Sequence, residues 1–308
     1  MKKCNKRRKP LISIITAGYN CEKSIMQTVE SVLSQTYTNI EYIYVDDCSE
    51  DQSFSSVKKV NDTRIISVKN EKNMGQSHSL NRAVRLARGD YIAVVDADDI
   101  CLEDRIEKQY EAFLDNKSAV VSCSGYYVVD ENDKLIREHR LNMTASECAY
   151  RLNFSNIIAH STVMYNKKSI DINNLYSVRY GIAENYELML KIVNTYNVAI
   201  VNEPTIIYRI LTTGITRKNK QKMIDAVYYI LHSHYKNMYN IELGYGKYIR
   251  TINSPTIKYI AEQLKLRKLI YTLIKKNNSI HYTAYIKEAM ITIKRSIKNT
   301  VKKNVRRT

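Results

Sequence analysis

Tyr91-Ile-Ala-Val-Val95 runs without a break into Asp96-Ala-Asp-Asp99. The first five residues are apolar and rich in β-branched side chains, the length and composition of a buried strand. Three carboxylates in the next four positions repel one another unless a cation or a hydrogen-bond network offsets the repulsion. Mg2+ or Mn2+ takes one or two carboxylates together with phosphate oxygens of a substrate, so one reading of Asp96, Asp98 and Asp99 at a strand's end is a metal site. On spacing alone the alternative is an acidic turn that caps a helix beginning near Leu102.

The same pattern repeats upstream. Leu11–Thr16 reads as a buried strand stopped by Gly18, and Ile25, Val29, Val32 and Leu33 put one apolar face on a helix over 22–33. Ile40–Val45 is the next strand and runs into Asp46-Asp47; a polar helix near 51–60, a strand at 64–69, a turn at Gly75 and a helix near 77–87 follow. Strand and helix alternating at this spacing predict an α/β fold of right-handed β-α-β units with a mainly parallel sheet sandwiched by helices. Ligands of such sheets bind outside the carboxyl ends of the strands. The polar residues just past four consecutive strands are Tyr19, Asn20 and Glu22, then Asp46 and Asp47, then Lys72 and Asn73, then Asp96, Asp98 and Asp99. The chain contains neither G-x-G-x-x-G nor G-K-[ST], which excludes the dinucleotide fingerprint and the P-loop.

With 308 residues, 26% charged and 44% hydrophobic, the chain has globular composition, and its formal charge of +17 is unevenly placed. Residues 1–9 hold six basic side chains and no acid, residues 10–244 hold 26 basic and 29 acidic, and residues 245–308 hold 16 basic against Glu262 and Glu288. A slightly acidic body with two basic ends argues against nucleic-acid binding by the body. Six scattered cysteines without a C-x-x-C pair suggest reduced thiols in a cytoplasmic protein. The apolar stretch Leu11–Ile15 is too short for a signal-peptide core, and no run approaches a membrane span, so any membrane contact is expected to be peripheral.

Six blocks in order carry a family resemblance: Ser13-Ile-Ile-Thr-Ala-Gly-Tyr-Asn20, Glu30-Ser-Val-Leu-Ser-Gln-Thr-Tyr37, Ile43-Tyr-Val-Asp-Asp-Cys-Ser-Glu-Asp51, Asn73-Met-Gly, Leu80 through Ile92, and Asp96-Ala-Asp-Asp99. Together, over residues 11–115, they resemble family 2 glycosyltransferases of the Rossmann-like GT-A fold. The resemblance implies a nucleotide-sugar donor bound by Tyr19, Asn20, Glu22, Asp47, Asn73, Asp96 and Asp98. Asp47 matches the aspartate that accepts the base N–H of a uridine-type nucleotide, Tyr19 the aromatic beside it, Asp96 the position near the ribose, and Asp98 the carboxylate that holds Mn2+ or Mg2+ on the diphosphate. The residue-level alternatives are a solvated Asx-type turn for Asp46 and Asp47, plain packing for Tyr19 and a loop-holding role for Asn20.

More loosely, residues 116–216 continue the resemblance as an acceptor-side half. Asn156-Ile-Ile-Ala-His160 places His160 where the family often has histidine, against a buried hydrogen-bonded histidine as the plain alternative. Ala183-Glu184-Asn185-Tyr186-Glu187-Leu188 matches a Glu-Asp block whose aspartate is the family's general base, and here Asn185 stands in its place. An amide orients a hydroxyl but does not deprotonate it, and losing a general base costs about 10²–10⁴ in rate. Three accounts stay open: Glu184 takes over as base, the chain is a slow or inactive homologue that still binds nucleotide sugar, or Asn185 is an introduced change. A second departure is Leu211, after Tyr208-Arg209-Ile210, where the family often has histidine.

The expected organisation is a basic tail over 1–9, a GT-A domain over 10–216 with its nucleotide-sugar half at 10–115, and a helical basic region over 217–308. Met223, Val227, Ile230 and Leu231 share one helical face, as do Ile257, Ile260, Ala261 and Leu264. Over 285–301 an apolar stripe of Ile286, Met290, Ile293 and Ile297 faces away from Lys287, Lys294, Arg295 and Lys298, which suits either an anionic membrane surface or packing with a solvated basic face. The function these expectations describe is metal-dependent, inverting transfer of a sugar, from a UDP-sugar by preference, to a glycan or lipid-linked acceptor at the inner face of a membrane. Its rivals are a catalytically weak nucleotide-sugar-binding homologue and an adaptor that binds membrane or nucleic acid through basic ends.

Overall fold

A computed structural model describes residues 9–211 and 219–239. They fall into two compact units, the larger made of those up to Ala145 and from Asn156 to Met223, the smaller of Ser146–Ser155 and those from Ile224 on.

In the larger unit the alternation expected from the sequence is present: β1 (Ile12–Gly18), α1 (Ile25–Leu33), β2 (Ile40–Asp46), α2 (Ser53–Lys58), β3 (Ile65–Lys69), α3 (Gln76–Leu86) and β4 (Tyr91–Val94). The four strands pair in parallel in the order β3-β2-β1-β4. Every residue of β2 is buried, as a central parallel strand covered on both faces requires. The burial extends to Glu41, whose carboxylate accepts from Ser13 Oγ at 2.6 Å and from Arg88 Nε at 2.7 Å, so this buried charge is paired. Helix α1 turns Ile25, Val29 and Val32 inward. It starts at Ile25 rather than Glu22 because the carbonyl of Cys21 first closes a turn, accepting from the Ser24 and Ile25 amides at 3.0 and 2.9 Å.

Beyond β4 the expectation of a mainly parallel sheet is corrected. The sheet is mixed and nine-stranded, with the further strands β5 (Ile100–Cys101), β6 (Ala119–Val129), β7 (Leu135–His139), β8 (Val163–Asn166) and β9 (Asn197–Arg209). Its order continues β4-β8-β6-β9-β5, with β7 paired to β6. Strand β8 enters antiparallel between β4 and β6, β5 and β7 are also antiparallel to their partners, and only β6–β9 restores a parallel pair. The handedness rule behind the expectation governs β-α-β repeats, and after α4 (Arg105–Asp115) the chain leaves that repeat for a hairpin and a strand only four residues long. The architecture is therefore helices flanking a mixed sheet, with α6 (Glu184–Thr195) leading into β9.

The smaller unit holds most of α5 (Ala145–Leu152) and of α7 (Lys220–Tyr239). Ile230 and Leu231 are buried on α7 as their spacing predicts, joined by Ala226, Tyr228 and Tyr235, whereas Met223 and Val227 are half-buried. His234 Nε2 donates to Asn153 Oδ1 at 2.8 Å, and burial pushes the His234 pKa down to about 4, which keeps the ring neutral. Residues 1–8 of the basic tail, the stripes near 257–264 and 285–301 and the anionic-membrane reading of 245–308 lie outside the described residues, while Lys9 pairs with Glu107 at 2.6 Å. Among the described residues no helix is long and apolar enough to cross a membrane, and Cys21, Cys48, Cys101, Cys123 and Cys148 are in no disulfide.

Candidate functional site

The loops that follow β1 and β2 are tied to each other. Asn20 adopts a left-handed φ of 50°, its amide donates to Ser49 Oγ at 2.9 Å and its Oδ1 accepts from the Glu50 amide at 2.9 Å. Glu22 closes the same seam, its amide donating to Asp51 Oδ2 and its Oε2 accepting from the Gln52 amide, each at 3.1 Å. Asp46 is fully buried and accepts from Tyr44 Oη and the Ser49 amide. Asn20 and Glu22 thus build the loop edge, while Tyr19 leaves its ring 44% exposed beside it.

Asp47 is the hub of the next loop. Its Oδ1 accepts from Asn70 Nδ2 at 2.7 Å, the Met74 amide at 2.9 Å and Ser79 Oγ at 3.0 Å, and its Oδ2 accepts from the Gly75 amide at 2.8 Å. A carboxylate offers about four acceptor directions, and here the chain itself supplies four donors. Asn73 sits exposed on the loop that this lattice shapes.

At the end of β4 the three aspartates separate by environment. Asp99 is fully buried, accepts from Ser161 Oγ and from the Arg209 amide at 3.0 Å, and has its pKa pushed well up by burial and then by Asp98 and Asp96. Asp98 is half-buried; burial and then Asp96 raise its pKa to about 6, against the pull of Arg209. Asp96 is partly exposed, its amide anchored on Ser161 Oγ at 3.0 Å and its Oδ1 facing His160. Asp99 therefore holds the turn together, whereas Asp96 and Asp98 stay partly exposed.

His160 sits in a single 3-10 turn, His160–Thr162, just before β8. Its Nδ1 donates to Asp96 Oδ1 at 3.0 Å and its Nε2 lies 3.1 Å from Tyr176 Oη. Burial opposes a charge on this ring, but Asp96 and then Glu184 outweigh it and its pKa is raised. Glu184 opens α6, entered from Ala183 at a left-handed φ of 63°. It is 6% exposed, and its pKa is raised by burial, lowered by His160 and raised again by Asp96. Asn185 is 7% exposed; its Nδ2 donates weakly to the Ile158 carbonyl at 3.3 Å, and its Oδ1 is buried without a hydrogen-bond partner. An unpaired buried acceptor costs about 1–3 kcal/mol.

The sequence profile of Glycosyl transferase family 2 matches residues 13–174, more than half of the chain and the whole edge just described up to His160. The chain belongs to glycosyltransferase family 2. An uncharacterized glycosyltransferase of Methanocaldococcus jannaschii is 32% identical over 237 residues, covering 74% of this chain and 81% of that protein. The Escherichia coli UDP-Glc:alpha-D-GlcNAc-diphosphoundecaprenol beta-1,3-glucosyltransferase WfaP is 38% identical over 184 residues, covering 60% of this chain and 70% of its own length. The crystal structure of S. aureus TarS 1-349 in complex with UDP shares the fold, with a TM-score of 0.58 at 18% identity, covering 85% of this chain and 80% of that one. The chain is thus a sugar-transfer enzyme on a GT-A type α/β scaffold.

The transferase contains site neighbours that sequence reasoning passed over. Tyr176 and Ser161 hold His160 and the aspartate turn, and Asn70 and Ser79 hold Asp47. Arg209 was quoted only as a marker for Leu211, yet its backbone and side chain both reach the aspartates. Arg105 is a fully buried cation beneath β4, donating to the Val94 carbonyl at 2.6 Å. Among the described residues no group of three or more His, Cys, Asp or Glu side chains is arranged to hold a metal ion.

Proposed function

We propose that this transferase moves a sugar from a UDP-sugar to a hydroxyl of a glycan or lipid-linked acceptor in surface polysaccharide or glycoconjugate synthesis. The observation that carries the reading is one sheet edge on which Asp96, two residues before Asp98, hydrogen-bonds His160, whose charge is felt in turn by Glu184. WfaP's name specifies a UDP-sugar donor and a diphosphate-linked lipid acceptor, and the likeness to it supports the same substrate classes here.

The donor set fits a divalent metal. Asp98, whose proton affinity burial and then Asp96 raise, gains from a nearby cation, and Mg2+ or Mn2+ takes its remaining ligands from water and phosphate rather than from a full protein cage. Asp96 and Asp98 would hold it, and its chemistry when bound is Lewis-acid stabilisation of the leaving diphosphate. In the transfer itself the acceptor oxygen bonds to the anomeric carbon as the bond from that carbon to the diphosphate oxygen breaks, with inversion, and the electron pair leaves with the nucleoside diphosphate. Glu184, its proton affinity raised by burial, receives the hydroxyl proton, a role that the amide of Asn185 next to it on α6 cannot take.

Asn185 favours a second reading, a slow homologue that binds donor and transfers poorly. Two variants separate the readings under matched donor, acceptor and Mn2+. With Glu184 as base, Glu184→Gln lowers kcat by about 10²–10⁴ and Asn185→Asp changes it little. In a slow homologue, Asn185→Asp accelerates transfer by about 10²-fold or more and Glu184→Gln leaves it unchanged.

A further inference from the structure

Arg209 joins three separate segments at the aspartate turn. Its guanidinium is nearly buried, 6% exposed, and its ion-pair partner Asp133 is 59% exposed at the tip of the β6–β7 hairpin. Asp133 Oδ1 accepts from both Nε at 3.0 Å and Nη2 at 2.8 Å of Arg209. The remaining nitrogen, Nη1, donates to the backbone carbonyl of Asp98 at 3.2 Å, and the Arg209 amide donates to Asp99 Oδ1 at 3.0 Å.

The hairpin tip is built to present that carboxylate. Asp130 Oδ1 accepts from the Asn132 and Lys134 amides at 2.9 and 3.0 Å, the Asp133 amide donates to the Asp130 carbonyl at 3.1 Å, and Asp133 itself takes a left-handed φ of 59°. Aspartate tolerates that conformation better than most residues.

We propose that Asp133 is a positioning residue for sugar transfer: by engaging one edge of the Arg209 guanidinium it fixes the other edge on the Asp98 backbone and keeps Arg209 from pairing with the Asp98 carboxylate. The proposal rests on the reading that Asp98 serves the donor diphosphate. A surface ion pair is worth little, but here one partner is a buried cation that keeps its charge when the other is removed. Its Nε and Nη2 then face at most a neutral acceptor, while the Asp98 carboxylate already feels the Arg209 charge. An Arg209–Asp98 pair would occupy the carboxylate that the donor needs.

The test uses the full chain with Asp133→Asn, which keeps the shape and removes the charge, and Asp133→Glu as the rescue. In the ligand-free protein, hydrogen exchange at the Asp99 and Arg209 amides is expected to quicken about tenfold in the Asn variant, as for loss of about 1.4 kcal/mol, and to recover in the Glu variant. In steady-state transfer with Mn2+, donor KM is expected to rise about five- to tenfold with kcat and acceptor KM within twofold. Exchange equal to the parent's overturns the positioning, whatever the kinetics. Faster exchange with unchanged donor KM overturns its link to the reaction. If exchange responds as expected but the parent itself transfers no sugar, the positioning stands and it is the proposed function that fails.

Discussion

Asp47 Oδ2 lies 2.8 Å from the amide nitrogen of Gly75, so the loop after β3 is folded back onto a carboxylate at the end of β2. With the Met74 amide, Asn70 Nδ2 and Ser79 Oγ on the other oxygen, Asp47 organises the whole turn that carries Asn73. Asp47→Asn replaces an acceptor with an N–H₂ that faces donors. The expected loss is about 2–3 kcal/mol of unfolding free energy at unchanged m-value, read by urea denaturation. A loss below about 0.5 kcal/mol would show that the lattice is not what holds the loop.

Gly75 itself sits at φ 88° and ψ 158°, a region that residues with a Cβ avoid. No atom lies within 4 Å of where that Cβ would be, so any cost of Gly75→Ala is backbone strain alone. The expected destabilisation is about 1–3 kcal/mol by thermal or urea unfolding. A neutral result would mean that the turn relaxes to another conformation, and donor KM would then report the changed loop.

The half of the fold through β4 was legible because its strands are short β-branched runs that end in polar residues, and periodicity detects such contrasts. The mixed half was not, since the four residues of β8 carry no period of their own and their place between β4 and β6 is set by pairing with residues about 40 and 70 positions upstream. At the site, residue types were readable and partnerships were not. Asp96, Asp98, His160, Glu184 and Asn185 stood out as functional types, but that His160 bridges Asp96 and Tyr176 depends on a segment that no local pattern connects to it. Asn20 and Glu22, read as ligand contacts, make their hydrogen bonds to the neighbouring loop, the loop-holding alternative open for Asn20 from the start.

His160 is held on both sides, by Asp96 and by Tyr176. Tyr176→Phe removes one hydrogen bond and no volume, and the expected effect is about 1 kcal/mol of stability with a modest change in turnover. His160→Ala also removes the ring that hydrogen-bonds Asp96 and whose proton affinity Asp96 and Glu184 raise, and kcat/KM is expected to fall about 10- to 100-fold, a transition-state loss of about 1.4–2.7 kcal/mol. Equal kinetic effects of the two substitutions would reduce His160 to a support for Tyr176.

Asp98 gives a pH prediction whose sign is fixed by its environment. Its pKa, about 6 in the folded protein, lies above the value of about 3.9 for a free aspartate, so the folded state holds the proton more tightly than the unfolded state. The ionised carboxylate therefore destabilises the ligand-free protein above pH 6, and the penalty fades as the pH falls toward 4. Allowing for its partial exposure, the penalty is about 1–2 kcal/mol. Ligand-free Asp98→Asn is expected to melt higher than the parent at pH 8 and to lose that advantage near pH 4. Under the proposed function UDP and Mn2+ together stabilise the parent, and the same variant should lose that gain, because the carboxylate that opposes the fold when alone is the one proposed to hold the cation. A melting point below the parent's by the same margin at both pH values would mean that Asp98 is held by contacts that do not depend on its charge.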